Sequence, residues 1–379
     1  MLYPNDPASA LKDPTIAPLF QHYCKHLALW YDLSDSAGHF GKQIPQQALH
    51  QPLLFSAVIA FAAIHVSCTT KPSAGRVAER YHGHCVRLLI SLQDDDTRLE
   101  DGIVLASVCL LRSYEILAED FDPNRHLSGA YALAAGGNLP AGKTWLWRAA
   151  FFNYLREDIT FSLINRCPLK MDLDNVVVPM RGADDEDQLN VAALHLANAI
   201  NTVFVNGRSS RMKASDAERF WVWHSSLPRQ FVPYFESDVE DSADTLPVIR
   251  MFRDCHVSVL QYCITRMTVL LSVQSDTLEV RDQFHANAVR LCGLAFTAKS
   301  PAVMVNSFGP ISFVCRYLKN ETLQQDLVAR LMACRKEIGW PVQRIINDLE
   351  AHWASVKSTA PHLQEYVLGR HDLPTTRAV

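Results

Sequence analysis

The side chains best suited to chemistry gather in one stretch, Leu99 to Ala135, where Arg112, Tyr114, Glu115, Arg125 and His126 interrupt an otherwise apolar pattern. A guanidinium, a phenol or an imidazole there can donate a hydrogen bond to a carbonyl, and a carboxylate can orient that donor or take a proton. Ile103, Val104, Leu105, Val108, Leu110, Leu111, Ile116 and Leu117 recur too densely for a surface stripe, so the pattern predicts a helix buried on most sides. Arg112 and Glu115, three apart, share a face of it. A second stretch, Thr144 to Arg166, predicts another helix, rich in aromatics and carrying Arg148, Arg156, Glu157 and Asp158. If the two helices face each other, Trp145, Trp147, Phe151, Phe152, Tyr154 and Tyr114 give a cavity its shape. Arg112, Tyr114, His126 and Arg156 then serve as donors, with Glu115, Glu157 or Asp158 as base or orienting group. The same residues also have a structural reading: Arg112 with Glu115, and Arg156 with Asp158, as buried ion pairs joining helices, and the aromatics as core.

The elements that must position these groups are helices throughout. Ala17 to Leu33 carries Leu19, Phe20, Tyr23, Leu27 and Trp30 at helical spacing, and Gln46 to Thr69 follows as a strongly apolar helix containing His65, read as a hydrogen-bonded core histidine. Arg76 to Leu92 is a third. Within it Tyr81-His82-Gly83-His84-Cys85 crowds two imidazoles and a thiol, but on a helix His82 and His84 point to different faces, so no metal site is expected. Asp94 to Asp96 suit a helix N-terminus. Asp120 to Asn124 split the opening stretch in two, and Gly136 to Gly142 form a loop lacking the Lys-Ser/Thr ending of a phosphate loop. Asp184 to Asp187 read as a solvated run or a helix cap, ahead of helices over Asn190 to Val205 and Ser215 to Ser226. Pro228 to Thr245 is a polar connection. Helices then cover Pro247 to Val273, Ser275 to Lys299, Pro301 to Tyr317 and Glu321 to Ile338, with a last one from Trp340-Pro341 through Trp353 and a loosely tied tail after Ala360. No long period-two alternation and no fixed repeat is present. The expected architecture is all-α, a multi-helix single large domain over residues 19–357, between a Pro-rich lead at 1–18 and a tail at 358–379.

Composition excludes several classes of function. The 36 basic residues against 40 acidic give a formal charge of −4, so there is no global attraction to nucleic acid or to an acidic membrane. The longest apolar run, Leu53 to Val66, is shorter than the roughly 20 residues a membrane span needs and reads as a core helix. Met1 to Pro18 shows no signal pattern, which places the expected site of action inside the cell. The ten cysteines stand singly with no Cys-x-x-Cys pair and read as reduced core thiols.

Four phrases in order, YHGHCVRLLISL at Tyr81 to Leu92, LLRSYEIL at Leu110 to Leu117, RHLSGA at Arg125 to Ala130 and FFNYLREDI at Phe151 to Ile159, resemble the regulatory middle-homology region of the fungal zinc-cluster transcription factors. The resemblance implies an α-helical domain that receives signals, often through small molecules, and brings no catalytic residues. Two departures accompany it. The family's zinc-cluster DNA-binding element is absent, and Met1 stands where the regulatory region begins, so direct contact with nucleic acid is not expected. Members often carry Trp at the position of Phe152 and Gln at that of Glu157, which implies an altered interior here.

Two functions are compatible with these residues. One is a transcription-factor-like protein that binds a small apolar molecule, terpenoid or polyketide-like, and catalyses a cyclisation or isomerisation in fungal secondary metabolism, pericyclic of the Diels–Alder type, with no metal and no cofactor. Holding the reacting ends together and aiming donors at a carbonyl would supply the rate. In this reading Tyr114, His126, Arg156 and Glu115 are catalytic, and Arg112, Trp145, Trp147, Phe151, Phe152 and Tyr154 bind the substrate, in the cytoplasm. The other is a small-molecule-sensing regulator or co-regulator, nuclear, acting through a protein partner or as a homodimer.

Overall fold

A computed structural model describes residues 6–92, 101–119, 145–171, 173, 184–206, 213–237, 245–275 and 277–368, with side chains of the last helix described to 358. His126, Arg125, Asp94 to Asp96, Asp120 to Asn124, the helix after Leu127 and the Gly136 to Gly142 loop lie outside the described residues.

The first expected helix is present as α2 (Ile16–His22) and α3 (Ala28–Asp32) joined by a π-helical turn, Tyr23–Leu27. A short α1 (Pro7–Ala10) precedes it, and a second π turn, His39–Gln43, leads into α4 (Ile44–Ala48). The single helix expected over Gln46 to Thr69 is two. Pro52 disfavours helical backbone at the residue before it, and Gln51 is accordingly extended, at φ −121° and ψ 100°, so α5 (Pro52–Thr69) starts afresh after it.

From Leu53 to His65 every residue of α5 is buried. A helix apolar all round needs partners on all sides, and α5 has α6 (Gly75–Ile90) and α7 (Ile103–Glu119) against it, with α2 on a third side. It is the one described helix long and apolar enough to cross a membrane, and it is mostly buried inside the fold. The helix α7 is buried from Ile103 through Leu117, its charged residues included.

The second half is built on α8 (Trp145–Asn165), α9 (Asp185–Asn206), α10 (Ala214–Ser226), α11 (Asp254–Leu271), α12 (Leu278–Ala298), α13 (Pro301–Val314), α14 (Glu321–Ile338) and α15 (Gln343–Leu368). The last helix thus runs past Ala360. The helix expected from Pro247 begins only at Asp254, because Ile249 and Arg250 pair antiparallel with Glu236 and Phe235 in a two-residue ribbon. The side chains of Thr277, Ser300 and Asn320 cap α12, α13 and α14, and Gly339, at φ +76°, ends α14.

One close approach sets the frame of the interior. Gly309 of α13 lies so near α8 that an added Cβ would stand 2.8 Å from Thr160 Cα. Pro310 follows inside α13 and cannot donate to the carbonyl of Asn306. All ten cysteines are reduced thiols, six of them buried, and Cys292 and Cys315 touch at 3.3 Å between sulfurs.

Candidate functional site

The close packing of α13 on α8 brings Asn306 to Arg156, and the end of α3 brings Tyr31 and Ser34 to the same guanidinium. Arg156 Nε donates to Asn306 Oδ1 at 3.0 Å, and Nη2 donates to the Tyr31 carbonyl at 3.3 Å and to Asn153 Oδ1. Nη1 donates to Ser34 Oγ. Every one of these acceptors is neutral, and Arg156 is only 3% exposed. Burial lowers its pKa, yet a guanidinium keeps its proton; its charge is met by these dipoles in direct contact and by the carboxylates of Glu157 and Asp35 at longer range. The Tyr31 carbonyl belongs to the last turn of α3, where the helix presents its negative end. Asn153 Nδ2 donates to that same carbonyl at 3.2 Å and so fixes the cradle.

Arg156 does not pair with Asp158. That carboxylate accepts the backbone N–H groups of Met171 at 2.9 Å and Lys170 at 3.2 Å, tying down the turn after α8. Burial raises its pKa against those two hydrogen bonds. Arg112 reaches across from α7, its Nε 3.3 Å from Glu157 Oε2. The two arginines and Glu157 line a narrow cavity of about 80 Å³ at the seam of α7 and α8. Trp30, Ile116, Phe161, Val305 and Trp340 make its apolar walls, and Arg344 also lines it. Tyr31 and Ser113 close one side through a 2.6 Å hydroxyl contact, and burial pushes the Tyr31 phenol well up.

The other residues expected to form a site lie elsewhere. Tyr114 stacks on His82 with ring centres 4.2 Å apart, and Glu115 is buried, but neither lines the cavity. Trp147 stacks on Phe151 at 5.2 Å, Phe151 meets Phe152 edge-on at 5.4 Å, and Tyr154 is fully buried, its phenol pushed up by burial. These four are core. Trp145 is 45% exposed. Phe152 lies under the Arg148 guanidinium at 5.1 Å. Trp30, Tyr31, Ser34, Asn153, Asn306, Trp340 and Arg344 were outside the expected set. A buried asparagine inside the apolar run of α13 was the one local sign of such a cradle.

Of Asp184 to Asp187, expected as a solvated run or a cap, Asp184 precedes α9 and accepts from Ser36 Oγ at 3.2 Å, while the other three open α9 and are engaged by side chains remote in sequence. Asp185 accepts from His256 at 2.8 Å and from Arg253 at 3.1 Å, Glu186 pairs with Arg253, and Asp187 pairs with the buried Arg148.

A larger cleft of about 730 Å³ lies on the other side of Trp30, with Lys25, His26 and Lys336 exposed around it. On its wall His65 Nδ1 meets His22 Nε2 at 3.0 Å. Burial, with His22 adding to it, lowers the His65 pKa to about 4. The neutral form is therefore favoured by the fold, and its stabilising contribution is complete above pH 6.5 and is lost as pH falls through 4. The stability gap between the wild type and His65→Gln is expected to narrow by about 2 kcal/mol between pH 7.5 and pH 4.5, read from urea midpoints. A gap independent of pH would refute this. Asp32, raised to about 7 by burial, acts with the opposite sign, because the fold favours its neutral form; it is common to both proteins and cancels.

Residues 18–135 match the fungal specific transcription factor domain. No curated protein and no solved structure matches the chain. The matched stretch supplies Trp30, Tyr31, Arg112, Ser113 and Ile116 to the narrow cavity.

Proposed function

We propose that this chain, which carries a fungal transcription-factor-like domain, is a regulatory module that senses a small molecule in the cavity between α7 and α8. The observation that carries this reading is the cavity itself, an apolar chamber with two buried guanidinium groups, one wall of which belongs to the matched domain. Its carboxylate, Glu157, is engaged by Arg112 instead of standing ready as a base. That arrangement suits holding a ligand better than turning one over. The output of such a module is a change in how it meets a protein partner, and the place of action is inside the cell, in the nucleus where it acts on transcription.

Trp30 and Trp340 both line the chamber, with ring centres 6.2 Å apart, so their fluorescence reports its occupation. Titration of the purified chain with terpenoid and polyketide-like compounds is expected to give a saturable change in that fluorescence and unchanged ligand on recovery. Accelerated conversion of a bound compound would replace the sensor reading with the cyclase or isomerase one. Absence of saturable binding across the set would remove both.

A further inference from the structure

We infer that the narrow cavity and the larger cleft are two ends of one binding space, divided by the indole of Trp30, and that the ligand is an elongated apolar molecule that turns this ring aside to reach the cavity. The inference rests on the sensing role proposed above and names the size of the ligand and the residue that admits it.

Three segments of chain run past both spaces. On α13, Ala302 lines the cleft and Asn306, one turn on, lines the cavity, its side chain donating back to the Ala302 carbonyl at 2.8 Å. After α14, Ile338 lines the cleft and Trp340 the cavity, on either side of Gly339. On α3 the two spaces meet, because Trp30 lines both, and among the described residues no other lines the two together. Its ring touches His65 on the cleft side, with centres 5.4 Å apart, and Trp340 on the cavity side, at 6.2 Å, so the indole itself stands between them. The volumes call for the two to act together. Sites for drug-sized ligands run to roughly 300–1,000 Å³. The cavity, at about 80 Å³, is far too small for a terpenoid or polyketide-like body, whereas the cleft, at about 730 Å³, is large enough to hold most of one. Little fastens the partition. Trp223 Nε1 donates to Gln188 at 2.7 Å and Trp353 Nε1 donates to the Cys315 carbonyl at 3.2 Å, but Trp30 Nε1 donates to no acceptor among the described residues. Its ring is held by edge-on contacts with Phe61, His65 and Trp340. A helical tryptophan has two common χ1 wells, so one rotation about Cα–Cβ moves the ring and leaves α3 in place. The cleft offers the room, and a ligand entering the cavity replaces the contacts the ring gives up.

The test titrates N-phenyl-1-naphthylamine, a neutral and elongated aromatic compound whose emission rises in apolar surroundings, into the full chain. In the fluorotryptophan-labelled wild type, the fluorine resonance of Trp30, assigned by its loss in Trp30→Leu, is expected to shift as the compound saturates. Trp30→Leu is expected to bind the compound about tenfold more tightly, because the cost of opening the partition is gone. Val305→Phe, which fills the cavity end alone, is expected to weaken binding about tenfold or more; should it not fold, Ile164→Phe on the same cavity takes its place. Binding weakened by the filling variant, with the Trp30 resonance unmoved and Trp30→Leu without effect, makes Trp30 a fixed wall and overturns the inference while the sensing role stands. Saturable binding indifferent to the filling variant places the compound outside the cavity and overturns both. No saturable binding of the compound overturns the joined space, and the sensing role is then decided by the titration described under the proposed function.

Discussion

Arg148→Ala is expected to lower the free energy of unfolding by about 3–5 kcal/mol, measured from urea denaturation at neutral pH. Arg148 pairs with Asp187, and the two side chains are 3% and 4% exposed. Removing the guanidinium leaves a carboxylate buried at the first turn of α9 and also strips the cation from the face of Phe152. The size of the loss reflects the stranded charge more than the worth of the pair. The double variant Arg148→Met with Asp187→Leu is therefore expected to recover most of the loss, since apolar side chains of similar volume replace a buried pair with little penalty. A double variant as unstable as Arg148→Ala would show that the pair itself holds α8 to α9.

Gly102→Ala is expected to cost about 4 kcal/mol by the same measurement, from two independent sources. Gly102 sits at φ +82°, a conformation that strains any L side chain. An added Cβ would also stand 2.4 Å from Trp147 N and 2.5 Å from Trp147 Cα, against backbone that has no rotamer to yield. The start of α7 and the first turn of α8 would have to separate, which opens the seam where Arg112 meets Glu157. A cost below about 1 kcal/mol would mean that the two helices slide apart without loss.

The helices were legible in the sequence through apolar residues at helical spacing and, in α5 and α7, through long apolar runs, and the buried character of α7 followed from the density of its run. The breaks were less so. Pro52 announces the start of α5 once the rule for the residue before proline is applied, but nothing in YCKHL distinguishes a π turn from an α turn. The charged residues were found and their partners were not. Arg112 and Glu115 share a face by their spacing, whereas the 3.3 Å approach of Arg112 to Glu157 depends on how α7 crosses α8. Arg156 was singled out, but its acceptors Ser34 and Asn306 lie 122 and 150 residues away, where periodicity carries no information. Tyr154, Phe151 and Trp147 illustrate the converse: large aromatics are recognisable in a sequence, and whether they line a space or fill it is decided by packing.

The chamber has two origins along the chain. Trp30, Tyr31, Arg112, Ser113 and Ile116 come from the matched domain, and Asn153, Arg156, Glu157, Asn306, Trp340 and Arg344 come from beyond it. A substitution in the second group changes the volume or charge of the chamber without altering one residue of the first. Two proteins that share the same domain signature can therefore differ in what they recognise, and a comparison restricted to residues 18–135 would be blind to that difference.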